Sequence, residues 1–172
     1  LKNLSNDSLH YITSARQDNT YLVYVRAKGY IYKDTLIHIP NAAAELTYTI
    51  PLSALQKEMV LQLRNIQFDH NSSVLTPSSY AELDKLVKLM QDNPSMQIEL
   101  SAHTDDVGSE QYNMRLSQQR GESVRKYLIR KGVDAKRIIA KGYGKNKPLV
   151  PNDSDENRAI NRRVEFTINE IE

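Results

Sequence analysis

The spacing of apolar residues changes near residue 58, and that change constrains the fold more than any other feature of the chain. Before it, the runs YLVYV (21–25), TLIHI (35–39) and LTYTIPL (46–52) carry the period-two alternation of half-buried strands. Turn residues at Lys28 and Gly29, and at Pro40 and Asn41, separate them. Six of the ten tyrosines also lie here, as a strand-rich segment favours. Residues 1–58 therefore read as a small all-β module of about four short strands. Its first ~18 residues, with scattered Asn, Ser and Asp, read as loop or partial strand.

After residue 58 the period alternates between two and 3.6. MVLQLRNIQF (59–68) reads as a strand of more than average length. Pro77 marks a helix start, where its missing N–H costs nothing. Tyr80, Leu83, Leu86, Val87 and Met90 then form a one-sided stripe, closed by Asn93 and Pro94. MQIELSAH (96–103) puts Met96, Ile98, Leu100 and Ala102 on one strand face. A second helix is predicted from about Ser109 to Lys131, with Leu116, Val124, Tyr127 and Leu128 inward and Gly132 as its stop. RIIAKGY (137–143) and NRRVEFTI (161–168) complete the strands, with GKNKPLVPNDSDENRA (144–159) as an irregular polar loop between them. A loop of that length in a compact domain is usually functional or mobile. Residues 59–172 thus predict an α+β domain, a two-layer βαβαββ sandwich.

Several function classes drop out on composition. With 23 Lys and Arg against 21 Asp and Glu the net charge is +2, so no bulk electrostatic case for nucleic acid exists. There is no cysteine, hence no disulfide, thiol nucleophile or thiolate metal site. No stretch approaches the roughly 20 apolar residues that cross a bilayer, so no direct membrane insertion is expected. No signal peptide is visible, and a chain opening on Leu1 reads as a piece of a longer protein. The four histidines, at 10, 38, 70 and 103, lack metal-ligand spacing. GYGK (142–145) lacks the glycine spacing and the Ser or Thr of a phosphate loop. No nucleophile has an adjacent base; the expectation is a non-enzyme without metal or cofactor. The basic run RKYLIRKGVDAKR (125–137) reads as a solvated helix face.

What remains is one juxtaposition. Asp105 stands at the exit of a strand, a glycine turn follows at Gly108, and Arg120 stands on the next helix. Taken singly, Asp105 reads as a loop carboxylate capping a backbone N–H, and Arg120 as a solvated helix residue. Taken together, they can grip the two ends of a zwitterion. A carboxylate accepts from an ammonium, and a planar guanidinium offers two donors to a carboxylate, which lysine does not. A helix starting near Ser109 puts Arg120 about 16 Å along its axis, with the side chain leaning back towards the loop. A later start, with Ser117 as cap, or a bend within 112–117, would shorten that span.

Four stretches carry a resemblance: FDHNSSVLTPSSYAELDKLVKLM, HTDDVGSEQYNMRLSQQRGESVRKYL, KGYGKNKPLVPND and NRAINRRVEF. In order and spacing, over about residues 60 to 169, they resemble the OmpA C-terminal-like, peptidoglycan-associated domain family. The preceding module resembles the carboxypeptidase-regulatory-like modules of Bacteroidetes envelope proteins, among them a component of the type IX secretion machinery. The resemblance implies non-covalent attachment to peptidoglycan through the diaminopimelate side chain of the stem peptide, in the periplasm at the outer membrane. Envelope or secretion-complex proteins would be further partners; the alternative is a protein–protein scaffold with a vestigial pocket. Carried onto this chain, the family's carboxylate falls on Asp105 and its arginine on Arg120. Supporting positions fall on Asn71, Thr104, Asn113 and Arg162, with turn or cap duties competing at Asn71 and Asn113. Arg162 and Arg163 adjoin in the expected last strand, so they should point to opposite faces; the resemblance favours Arg162 for the site. Two positions depart from the family: Gly121 stands for an alanine, and Asn157 for a glycine.

Overall fold

The computed structural model describes residues 15–41, 46–69 and 71–171. Internal packing divides them into two compact units. One holds residues 15–26, 32–41 and 46–53; the other holds residues 27–31, 54–69 and 71–171. Residues 27–31 and 54–58, assigned by periodicity to the β module, pack within the second unit. There the Gly29 carbonyl accepts from Leu55 N, and Gly29 N donates to Asn93 Oδ1 at 2.8 Å.

In the first unit β1 (Asn19–Val25) and β2 (Lys33–Ile39) pair antiparallel, with Leu22 opposite Leu36. The expectation of about four strands is corrected to two among the described residues. Residues 46–52 form no strand, because Pro51 lacks a ladder donor and pushes its neighbour out of register. Side chains tether that segment instead: Tyr48 Oη donates to the His38 carbonyl at 2.8 Å, and Lys33 Nζ to the Pro51 carbonyl. Most of the segment read as the leading loop, residues 1–14, lies outside the described residues.

The second unit runs β3 (Val60–Leu63), α1 (Tyr80–Asp92), β4 (Gln97–His103), α2 (Glu110–Arg130), β5 (Ile138–Gly144), α3 (Asp155–Asn161) and β6 (Val164–Glu170). Its sheet has the order β3-β6-β4-β5; β4 and β5 are parallel, and β6 is antiparallel to β3 and β4. The expected α+β architecture is present. Ile98, Leu100 and Ala102 of β4 and Val164, Phe166 and Ile168 of β6 are buried, as are Leu83, Leu86, Val87 and Met90 of α1 and Val124 and Leu128 of α2. These are the inward positions the two periods select.

Three elements differ from expectation. The strand predicted over 59–68 ends at Leu63, because Arg64 and Asn65 turn and Asn65 takes φ 58°. Phe68 then pairs with Leu75 in an isolated bridge. The loop 144–159 is not wholly irregular: Ser154 Oγ accepts from Asn157 N and starts α3, which displaces the last strand to Val164. Arg162 and Arg163 consequently precede β6 rather than belonging to it.

α2 is fixed at both ends. Ser109 Oγ accepts from Tyr112 N at the start, so the helix begins where expected and runs unbroken. At the stop Gly132 takes φ 94°; its N–H donates to the Ile129 carbonyl and that of Val133 to the Leu128 carbonyl, a Schellman motif. Against the sheet α2 presents small residues. Gln118 Oε1 accepts from Gly142 N, its Nε2 donates to the Ala140 carbonyl, and Ser117 Oγ accepts from Gly144 N. The outer edge of β5 is thereby covered, which removes a template for edge pairing.

Candidate ligand-binding site

The loop leaving β4 is held by its own side chains. Thr104 N donates to the Gly144 carbonyl and Thr104 Oγ1 to the Asp105 carbonyl at 2.9 Å. From α2, Asn113 Nδ2 donates to the carbonyls of Val107 at 3.0 Å and Asp105 at 3.4 Å. Thr104 and Asn113 are both buried. Their duty here is to position the loop backbone, one of the two readings left open for Asn113.

Asp105 fills the capping role read for it singly, and its second oxygen enters an ion pair within the chain. Oδ1 accepts from Val107 N at 3.1 Å, closing a local turn, while Oδ2 accepts from Arg162 Nη1 at 2.7 Å. Arg162 sits just past α3, 57 positions along the chain, yet it and not Arg120 pairs with the carboxylate. Arg163 turns elsewhere: Nη2 donates to Glu165 Oε1 at 2.8 Å and to the Lys147 carbonyl at 3.2 Å. The two arginines diverge as expected, although from a helix exit rather than a strand.

Arg120 reaches back along α2 to the loop after β3. Nε donates to the Ser72 carbonyl at 3.0 Å, and the guanidinium stacks 4.9 Å from the Phe68 ring centre. Burial draws its pKa below the ordinary value, against the opposing fields of Tyr112 and Asp105. Among the described residues no carboxylate lies within ion-pair distance of it. Arg120 and Arg162 share a cavity of 340 Å³ with Ile66, Gln67, Phe68, His103, Ala159 and Arg163. Asp105 is not on its wall; the ion pair with Arg162 links it to the space. A larger, open recess of 690 Å³ runs beside Met114 and Gln118 of α2 and touches none of the predicted residues.

Asn71 is exposed, with φ 50°, and among the described residues it makes no hydrogen bond to this group; its neighbour Ser72 supplies the carbonyl instead. Sequence reasoning missed Phe68, His103 and Arg158. Phe68 lay in a motif already singled out, but its stacking on Arg120 leaves no signal in the sequence. Arg158 donates to Asp106 Oδ1 at 3.3 Å and Asp155 Oδ1 at 3.0 Å, tying α3 to the Asp105 loop. His103 is buried against the Tyr143 ring; Nε2 stands 2.9 Å from Glu165 Oε1, off the axis of an aligned hydrogen bond.

The two departures from the family pattern are accommodated. Asn157 lies in the first turn of α3 without a left-handed φ, and Nδ2 donates to Asp153 Oδ1 at 2.7 Å. A Cβ on Gly121 would meet Ala140, Lys141 and Ala102 at 3.6–3.8 Å, an ordinary contact distance.

The model of the OmpA family matches residues 67–162. Outer membrane porin F of Pseudomonas fluorescens is 38% identical over 104 residues, covering 60% of this chain and 32% of the porin. Peptidoglycan-binding protein ArfA of Mycobacterium tuberculosis is 35% identical over 104 residues, 60% of this chain and 32% of its own. The matched stretch thus spans about a third of the length of these curated relatives. Among solved structures, the peptidoglycan-associated lipoprotein of Burkholderia pseudomallei superimposes with a TM-score of 0.56 at 29% identity, covering 60% of this chain and 87% of that one.

Proposed function

The chain belongs to the OmpA family, and from that premise we propose that its second unit binds peptidoglycan non-covalently and anchors an envelope assembly to the cell wall. The observation that carries this reading is Arg120: a half-buried guanidinium without an acid partner among the described residues, facing a cavity it shares with Arg162, whose own ion-pair partner is Asp105. Such a group favours an incoming carboxylate. Asp105, held by Thr104, Asn113 and Val107, favours an incoming ammonium.

The ligand that offers both on one carbon is the diaminopimelate residue of a stem peptide. Each charged contact contributes roughly 1.5–3 kcal/mol when shielded from water. A lysine stem peptide keeps the ammonium but lacks the carboxylate, so Arg120 would stay unpaired. The site is compact, so affinity for one fragment is modest and attachment depends on many copies engaging one polymer. The protein acts as an anchor rather than an enzyme, in the periplasm at the outer membrane, as the names of its relatives support.

The first unit joins this anchor to a secretion or other envelope complex. Leu22 and Leu36, opposite each other in β1 and β2, are 68% and 69% exposed, with Tyr24 and Tyr48 also exposed, a surface suited to a protein partner. Co-sedimentation with diaminopimelate-type sacculi tests the anchor. Wild-type protein should pellet and Asp105→Ala and Arg120→Ala should remain in the supernatant; equal pelleting of all three would reject the site.

A further inference from the structure

The carboxylate that a ligand ammonium would seek is already taken by a cation of the chain itself. Arg162 Nη1 donates to Asp105 Oδ2 at 2.7 Å, and Oδ1 is engaged by Val107 N. An ammonium therefore has to share Oδ2 or displace Arg162. The three arginines near the cavity differ in their freedom to respond. Arg163 has a buried side chain pinned to Glu165 and the Lys147 carbonyl. Arg120 is fixed by the Ser72 carbonyl and the face of Phe68. Arg162 has a side chain 45% exposed, and among the described residues Asp105 is its one acid partner.

We infer that Arg162 is a specificity-determining residue: it occupies Asp105 until a ligand delivers an ammonium, then turns its guanidinium onto the ligand's carboxylate beside Arg120. This inference rests on the zwitterion reading above and adds to it an exchange of partners. A zwitterion leaves every charge paired, because the ammonium takes over Asp105 while its carboxylate receives the released Arg162. An ammonium without a carboxylate breaks the ion pair and returns nothing, leaving two guanidiniums without an acid. Discrimination then comes from a penalty on the wrong ligand as well as a contact with the right one.

The test is calorimetric titration of the whole chain with a diaminopimelate muropeptide and a lysine muropeptide, using wild type, Arg162→Ala and Arg162→Gln, the last keeping a neutral donor. Freed of its resident cation, Asp105 in both variants should bind the lysine muropeptide about tenfold more tightly than wild type does, so the preference for diaminopimelate falls by at least about tenfold. A preference unchanged in both variants, or affinity lost in parallel for both ligands, overturns the exchange. Arg120→Ala separates the two levels. If it abolishes binding of the diaminopimelate muropeptide while the Arg162 variants keep the preference, the zwitterion reading stands and the exchange alone falls. If wild type binds neither muropeptide, both fall.

Discussion

At the scale of single residues, the charges around the site are sorted by how far each is paired. Glu165 serves Arg163 at 2.8 Å and approaches His103 at 2.9 Å, and Arg120 has no acid partner among the described residues. His103 shows the cost of this crowding. Burial, followed by the field of Arg163, pulls it down to about 4, while Glu165 opposes and Lys147 adds to the fall. The fold therefore holds the neutral imidazole, whereas in the unfolded chain His103 titrates at the ordinary value of 6.5. Between those two values the unfolded state binds the extra proton, so stability is full above 6.5 and declines as pH falls towards about 4. Urea unfolding at pH 7 and pH 4 should show roughly 3 kcal/mol more acid destabilisation in wild type than in His103→Gln. Equal acid losses in both would mean that the imidazole does not drive the effect.

At the scale of elements, α2 and β5 form the joint on which the site depends. Their approach is so close that a Cβ on Gly142 would lie 2.3 Å from Gln118 N and 2.7 Å from Gln118 Cα, both helix backbone. Gly121, on the same interface, has room for a methyl group. The two glycines should respond in opposite senses. Gly121→Ala is expected to gain about 1 kcal/mol by helix propensity, and Gly142→Ala to lose at least about 2 kcal/mol as α2 is pushed off the sheet. Thermal unfolding of both variants checks the pair; destabilisation by Gly121→Ala would show the interface tighter than it is described. α1 and α2 were legible in the sequence because long stripes and strong end signals, Pro77, Ser109 and Gly132, agree with the packing. β3 was overread because the left-handed turn at Asn65 has no glycine to announce it. α3 was missed because its seven residues carry two adjacent aliphatic positions, Ala159 and Ile160, and no helical stripe. Residues 46–52 have a strand pattern, yet Pro51 prevails over it.

At the scale of the whole molecule, a net charge of +2 provides no broad field, so recognition has to come from pairs at short range. Asp105 and Arg120 were legible as a pair of charges flanking one loop; Arg120 lines the cavity, and Asp105 is linked to it through Arg162. What the sequence did not disclose was the order of pairing. Arg162 reaches Asp105 across 57 positions, and Arg120 finds Ser72 and Phe68 across 48 and 52, contacts that only the folded topology creates. Thr104 and Asn113, expected as supporting ligand contacts, turn their polar atoms to the backbone of the loop after β4. The central claim is that this arrangement reads a zwitterion. Calorimetric titration with diaminopimelate and lysine muropeptides, on wild type and on Asp105→Ala and Arg120→Ala variants that retain their fold, tests it most directly. Wild type should bind the diaminopimelate ligand far more tightly than the lysine one, and both variants should lose that binding. Equal binding of the two muropeptides, or binding that survives loss of Arg120, would contradict that claim.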